Sequence, residues 1–206
     1  MCITYEVDGA LYINLTNRCS NSCEFCIRKN GDGAYGSDSL WLVREPSADE
    51  AIEAVFSRDL TAYREIVFCG YGEPTEQLDV LCAVARKIKE EFPNIKVRVN
   101  TNGHSDLING RDTTGDFFGI VDAISISLNT PSPEKYVEIC HPIYKTDAFF
   151  ALIDFAKRVK SCVPTVLFSV VRQTLTEEEL IECEKIAADA GVTLRVRDYI
   201  SADDDK

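Results

Sequence analysis

The sequence predicts an α/β fold, an incomplete TIM-like (β/α)6 barrel of parallel strands. Three observations carry this. Short β-rich runs alternate six times with helical patterns, as parallel strands joined by right-handed crossovers do. The strand runs alternate apolar with polar residues, whereas strands covered by helices on both faces read as continuous apolar stretches. The spacing is even, with no linker and no internal repeat, so 1–200 read as a single domain and 201–206 as an acidic tail.

The first strand is expected at Leu11–Leu15. Ser47 with Glu50 forms a capping box ahead of Ile52, Val55 and Phe56. Ile66–Cys69 is the second strand, and Thr75 opens a helix whose Leu78, Leu81, Ala85, Ile88 and Phe92 recur at helical spacing. Val97–Val99 and Ile124–Leu128 follow as strands, and Thr146 precedes the helical set Phe149, Ile153 and Ala156. After the strand Thr165–Val171, Thr176 with Glu179 makes a second capping box, and Gly191 stands where that helix needs a C-terminal cap. Leu194–Val196 is the last strand. The polar strand faces carry Ser125, Ser127 and Asn129 in one case and Arg98, Arg195 and Arg197 in others. Such a face buried in a sheet of this size predicts a wet, functional lumen.

Composition narrows the function. With 45% hydrophobic and 27% charged residues, 11 Gly and 7 Pro in 206 residues, disordered and collagen-like classes are excluded. A net charge of −12 repels phosphate backbones, which excludes bulk nucleic-acid binding. No apolar run approaches the roughly 18 residues of a membrane span, and Met1–Glu6 lacks the layout of a signal peptide. The expected location is the cytoplasm, where the nine cysteines stay reduced and point to metal or catalysis.

Three of those cysteines cluster directly after the first strand as Cys19-x3-Cys23-x2-Cys26. Thiolates suit zinc or an iron–sulfur cluster. A structural zinc site wants four ligands, usually in two knuckles, and here Cys2 or Cys69 would have to complete it. Neither His104 nor His141 lies at a zinc-finger spacing, so the two histidines read as surface or structural residues. On a four-iron cluster, three cysteines leave one iron open.

This triplet, with the aromatic Phe25 before its last cysteine, resembles the radical S-adenosylmethionine (radical SAM) superfamily. The resemblance implies one minimal core in which Cys19, Cys23 and Cys26 hold a [4Fe–4S] cluster whose free iron binds S-adenosylmethionine. Chemistry then belongs at the carboxyl ends of the strands. Cys69-Gly-Tyr-Gly-Glu73 resembles the family segment that binds the methionine amino group, with Tyr71 replacing a usual glycine beside Gly72 and Glu73. Asn100 and Thr101 at one strand end, and Ser127 and Asn129 at the next, resemble positions that hydrogen-bond the ribose and the methionine carboxylate. Val171 is placed against adenine. Asn-Leu-Thr-Asn-Arg-Cys19 and Phe-Cys69-Gly-Tyr-Gly-Glu-Pro-Thr75 are similar to the small TatD-associated radical proteins, which implies a TatD-type hydrolase as functional partner.

The implied activity is reductive cleavage of S-adenosylmethionine to methionine and a 5′-deoxyadenosyl radical that abstracts a substrate hydrogen. An external flavodoxin- or ferredoxin-like donor is implied, because no second cluster motif exists. Two other small members of the superfamily fit equally, a glycyl-radical-enzyme activase and a deazapurine synthase. A non-catalytic electron-transfer protein or structural zinc protein is the rival outside enzymes. Arg98, Arg195 and Arg197 have two readings: outward and paired with helix carboxylates, or in the lumen with Asn14, binding an anionic substrate or the cofactor's carboxylate. The loop Ile27–Pro46, with Arg28, Trp41 and Arg44, is expected at the substrate mouth. Gly31-x-Gly33-x-x-Gly36 matches a dinucleotide fingerprint in letters alone, since no strand precedes it and no helix follows.

Overall fold

In the computed structural model, which describes residues 1–199, the chain builds one seven-stranded sheet in sequential order. The acidic tail at 201–206 lies outside the described residues. The sheet opens with a hairpin the sequence reading did not include, β1 (Thr4–Val7) antiparallel to β2 (Ala10–Ile13). Its turn is Asp8-Gly9, at φ 48° and 73°. Two successive positive φ values match the right-handed twist of the flanking strands.

From β2 onward every neighbouring pair is parallel, through β3 (Glu65–Phe68), β4 (Lys96–Thr101), β5 (Ala123–Ser127), β6 (Thr165–Val171) and β7 (Thr193–Arg197). A doubly wound sheet reverses its strand order part-way. This one never does, so right-handed crossovers put its helices on one side and leave the other side as a lumen. Strands β1 and β7 do not pair, and the barrel is open among the described residues.

The principal helices are α1 (Ala48–Phe56), α2 (Leu78–Glu91), α5 (Asp147–Val159) and α6 (Glu177–Ala190), with two shorter ones, α3 (Ser105–Asn109) and α4 (Pro133–Cys140). Both expected capping boxes form, at Ser47–Glu50 and Thr176–Glu179, and Gly191 caps α6 at φ 71°. Two expected caps do not. Thr75 sits inside a 3-10 turn, Pro74–Gln77, and its hydroxyl donates to Glu73. Thr146 already has helical backbone and makes no cap hydrogen bond. Replacing Thr176 by Ala should cost about 1 kcal/mol and lower the melting temperature by roughly 2–4 °C. An unchanged thermal transition would deny that cap its role.

Alternation along the strands sorts the two faces. Ile13, Phe68, Val99, Ile126 and Phe168 pack outward in the core shared with Leu81, Ile88 and Phe155 of the helices. Tyr12, Arg98, Asn100, Ser125, Ser127 and Ser169 line the lumen. β7 departs from expectation, because at the sheet edge Val196 stays 43% exposed. No helix among the described residues is long and apolar enough to cross a membrane.

Candidate active site

The cysteine loop follows β2 and is held from two directions. Ser22 N donates to Cys140 O and Glu24 N to Ile139 O, both at 2.9 Å, which fastens the loop to the end of α4. On the other side Asn102 Nδ2 donates to Ser20 Oγ at 2.8 Å, tying the loop to the residue after β4. Ser20 Oγ also meets His104 Nδ1 at 3.0 Å, His104 Nε2 meets the Tyr136 hydroxyl at 3.3 Å, and Asn21 Nδ2 donates to that hydroxyl at 3.0 Å. Ser20, Asn21, Asn102, His104 and Tyr136 form a buried polar bracket that sequence reading missed. Only the structural reading of His104 foreshadowed it.

Burial holds the His104 imidazole neutral, with its pKa pulled from 6.5 down to about 4. A neutral imidazole donates on one nitrogen and accepts on the other, and its two hydroxyl partners can serve either role. Between pH 6.5 and pH 4 an unfolded chain takes up a proton that the folded chain refuses. Stability therefore falls as the pH falls through that window, by about 3 kcal/mol. The stability of the wild type minus that of His104→Gln, from urea unfolding, should shrink by that amount between pH 7 and pH 4. A pH-independent difference would contradict the buried, neutral histidine.

Cys19, Cys23 and Cys26 are free thiols lining one cavity of about 340 Å³ at the carboxyl ends of the strands. Burial raises the Cys19 pKa to about 12 and raises that of Cys26. Cys23 is raised by its hydrogen bond with the Cys140 thiol and then by burial. Metal binding displaces such protons. Among the described residues no three His, Cys, Asp or Glu side chains converge on one point, as a tetrahedral zinc requires. A four-iron cluster does not ask for convergence, because each thiolate takes its own iron.

The strand ends meet this loop closely. A Cβ on Gly72 would lie 2.2 Å from Thr16 O and 2.6 Å from Arg18 O, and one on Gly70 would lie 2.1 Å from Asn14 Oδ1. Glycine is required at both positions because the backbone after β3 lies against the chain leading to the cysteines. The buried Glu73 carboxylate accepts from Thr75 N (3.1 Å), Thr75 Oγ1 (2.8 Å) and Thr101 Oγ1 (2.7 Å) on one oxygen, and from Asn102 N (2.7 Å) on the other. Desolvation raises its pKa. The carboxylate is thus largely spent on organising the ends of β3 and β4.

The structure brings Phe25, Tyr71, Gly72, Glu73, Asn100 and Thr101 to the cavity wall, joined by Ser127, Asn129 and Val171. Asn129 reaches its place through a left-handed backbone, φ 62°, and its Nδ2 donates to Cys140 Sγ at 3.5 Å. Arg98, Arg195 and Arg197 also line the cavity, so they face the lumen rather than outward helices. Arg98 is paired even so, with Glu65 of β3 at 3.0 Å.

Three expectations need correction. Asn14 is not in the lumen. It is fully buried, donating to Leu40 O (2.7 Å) and Cys2 O (3.3 Å) and accepting from Tyr71 N (3.3 Å). Trp41 does not line the cavity but rests edge-on against Tyr71, with ring centroids 5.1 Å apart. Arg44 pairs with Glu50 of α1 and is likewise outside it. The loop meets the site through other residues, since Ile27, Ala34, Tyr35 and Leu40 line the cavity, and the Tyr71 hydroxyl lies 2.8 Å from both Gly31 O and Gly33 O.

A family model described as the radical SAM superfamily matches residues 13–186. This chain belongs to the radical SAM superfamily. Over 127 residues it is 30% identical to a Limosilactobacillus fermentum protein named GTP 3′,8-cyclase, a match covering 62% of this chain and 35% of the cyclase. The chain thus spans about a third of that relative's length. Streptococcus suis SuiB, solved bound to S-adenosylmethionine, superposes with a TM-score of 0.62 at 17% identity, over 92% of this chain and 38% of SuiB. A radical SAM methyltransferase from Sphaerobacter thermophilus gives the same TM-score and identity, over 97% of this chain and 70% of its own. At those identities the likeness is one of fold, and the fold is that of a radical SAM core.

Radical SAM membership implies a [4Fe–4S] cluster and S-adenosylmethionine, and the residues present fit both. Three soft thiols share one wall of the cavity. Two further residues lining it, Asn21 and Asn129, each bury an Oδ1 that takes no hydrogen bond. A buried acceptor without a donor is costly, and a turn of either side chain toward the cavity would offer it to a bound ligand's amino or hydroxyl group.

Proposed function

We propose that this chain is a radical S-adenosylmethionine enzyme. The observation that carries the reading is the meeting, in one cavity, of the three thiols with the hydrogen-bonded ends of β3 and β4 and the polar end of β5. When bound, a reduced [4Fe–4S] cluster supplies the electron that cleaves S-adenosylmethionine into methionine and a 5′-deoxyadenosyl radical. The chain's own residues position and enclose. Cys19, Cys23 and Cys26 would hold the cluster, with Phe25 beside them, and Gly72 and Glu73 would shape the place of the methionine end. Asn100, Thr101, Ser127 and Asn129 would orient its polar atoms, and Val171 would lie against adenine. An external flavodoxin- or ferredoxin-like protein would deliver the electron. The resemblance of Asn14–Cys19 and Phe68–Thr75 to TatD-associated proteins supports a functional link with a TatD-type hydrolase.

The test is anaerobic reconstitution with iron and sulfide, followed by reduction and addition of S-adenosylmethionine. The expected product is 5′-deoxyadenosine. One zinc per chain, or a cluster that neither binds nor cleaves S-adenosylmethionine, would overturn the reading in favour of a structural or electron-transfer protein.

A further inference from the structure

The cavity carries two guanidinium groups that pair with no carboxylate among the described residues. Arg195 and Arg197 lie two residues apart on the same face of β7, which sets them roughly 7 Å apart along the strand. Neither makes an ion pair with a described carboxylate, although the chain has 34 acidic residues against 22 basic ones. Arg98, across the lumen, shows the contrast: Glu65 takes its fork at 3.0 and 3.1 Å, and Asn100 Oδ1 accepts from it at 2.8 Å. Asp198, next along the chain, lines the same cavity and accepts from Gln173 Nε2 at 3.2 Å, so one carboxylate stands against the two guanidiniums of this strand end. Burial and the like charge of Arg195 lower the Arg197 pKa, against Cys69, Tyr35 and Cys23, which act to raise it. Two like charges at one wall of a cavity favour an anion from outside.

The register adds hydroxyls to this wall. Ser127 of β5 faces Ser169 of β6, and Ser169 faces Arg195 of β7, in one row across the sheet. A lone carboxylate offers two oxygens and is filled by a single fork. Two forks with two hydroxyls call for a group with more acceptors and two charges. We propose that the β7 wall binds a phosphate group on the substrate, with Arg195 and Arg197 as fork donors and Ser127 and Ser169 as hydroxyl donors. That the ligand is a substrate rests on the radical reading above; that the wall is an anion site does not.

The experiment uses the cluster-loaded full chain with S-adenosylmethionine present, so that the cofactor's own place is filled. Methyl phosphate binding is followed by phosphorus NMR line broadening. Arg195→Gln and Arg197→Gln should each weaken it at least ten-fold, whereas Arg86→Gln, on the exposed face of α2, should not. Circular dichroism reports whether each variant folds, which an edge strand favours. Four results would overturn the proposal: no binding to the wild type, binding by both variants as tight as by the wild type, malonate binding as tightly as methyl phosphate, or a loss in the variants of S-adenosylmethionine binding instead. The last would assign the arginines to the cofactor's carboxylate. Methyl phosphate binding in a protein whose cluster neither binds nor cleaves S-adenosylmethionine would uphold the anion site and sink the radical reading alone.

Discussion

Glu73→Ala is expected to lower the melting temperature by about 10 °C and to empty the protein of iron. Four donors converge on this carboxylate: Thr75 N, Thr75 Oγ1, Thr101 Oγ1 and Asn102 N, at 2.7–3.1 Å. Alanine leaves all four buried and unpaired. Each such group costs about 1–3 kcal/mol, less than additively, so about 4 kcal/mol is a fair total. A chain of this length loses roughly 2–4 °C per kcal/mol. The effect reaches the cysteines because Asn102, whose amide Glu73 fixes, also holds Ser20. Glu73→Gln should fall between, since its amide turns a donor toward a donor at one oxygen and keeps the acceptor at the other. A thermal scan of Glu73→Ala within 3 °C of the wild type, at full iron content, would reject this bracket.

The second large effect belongs to the thiols. Cys19→Ala, Cys23→Ala and Cys26→Ala should each lose the iron chromophore, with 5′-deoxyadenosine formation dropping at least a hundred-fold, to background. Cys140→Ala is the informative control. Its thiol is buried and hydrogen-bonded to Cys23 and Asn129, so it lies beside the ligand set, yet it stands outside the triplet and off the cavity wall. The cluster should survive in Cys140→Ala at a lower melting temperature. Iron retained in any of the three ligand variants and lost in Cys140→Ala would mean that the ligand set is wrong.

The parallel strands were legible because each carries its own alternation, and the site's outline because Cys19, Cys23 and Cys26 lie within eight residues. The opening hairpin was legible and unread, since Asp8-Gly9 between apolar runs is a strong turn signal. Thr75 misled because a hydroxyl two residues after a buried carboxylate bonds that carboxylate before it caps a helix. The bracket was not legible at all. Ser20 and His104 are 84 positions apart, Asn21 and Tyr136 are 115 apart, and no local pattern encodes such a pairing. The lumen direction of the arginines could be read from strand alternation, but whether each had a partner could not. Glu65 stands opposite Lys96 in the register, and only the coordinates show it turned to Arg98.

The clamp on the cysteine loop also sets a timetable for biosynthesis. Cys19, Cys23 and Cys26 are made early, yet the carbonyls that fasten their loop belong to Ile139 and Cys140. At roughly 5–20 residues per second, the ribosome needs about 6–23 s to close that gap. Through that interval the nascent thiols stand unclamped before dioxygen and stray metal ions. The loop therefore takes its clamped form only after α4 has left the ribosome, and a slower ribosome lengthens the exposure.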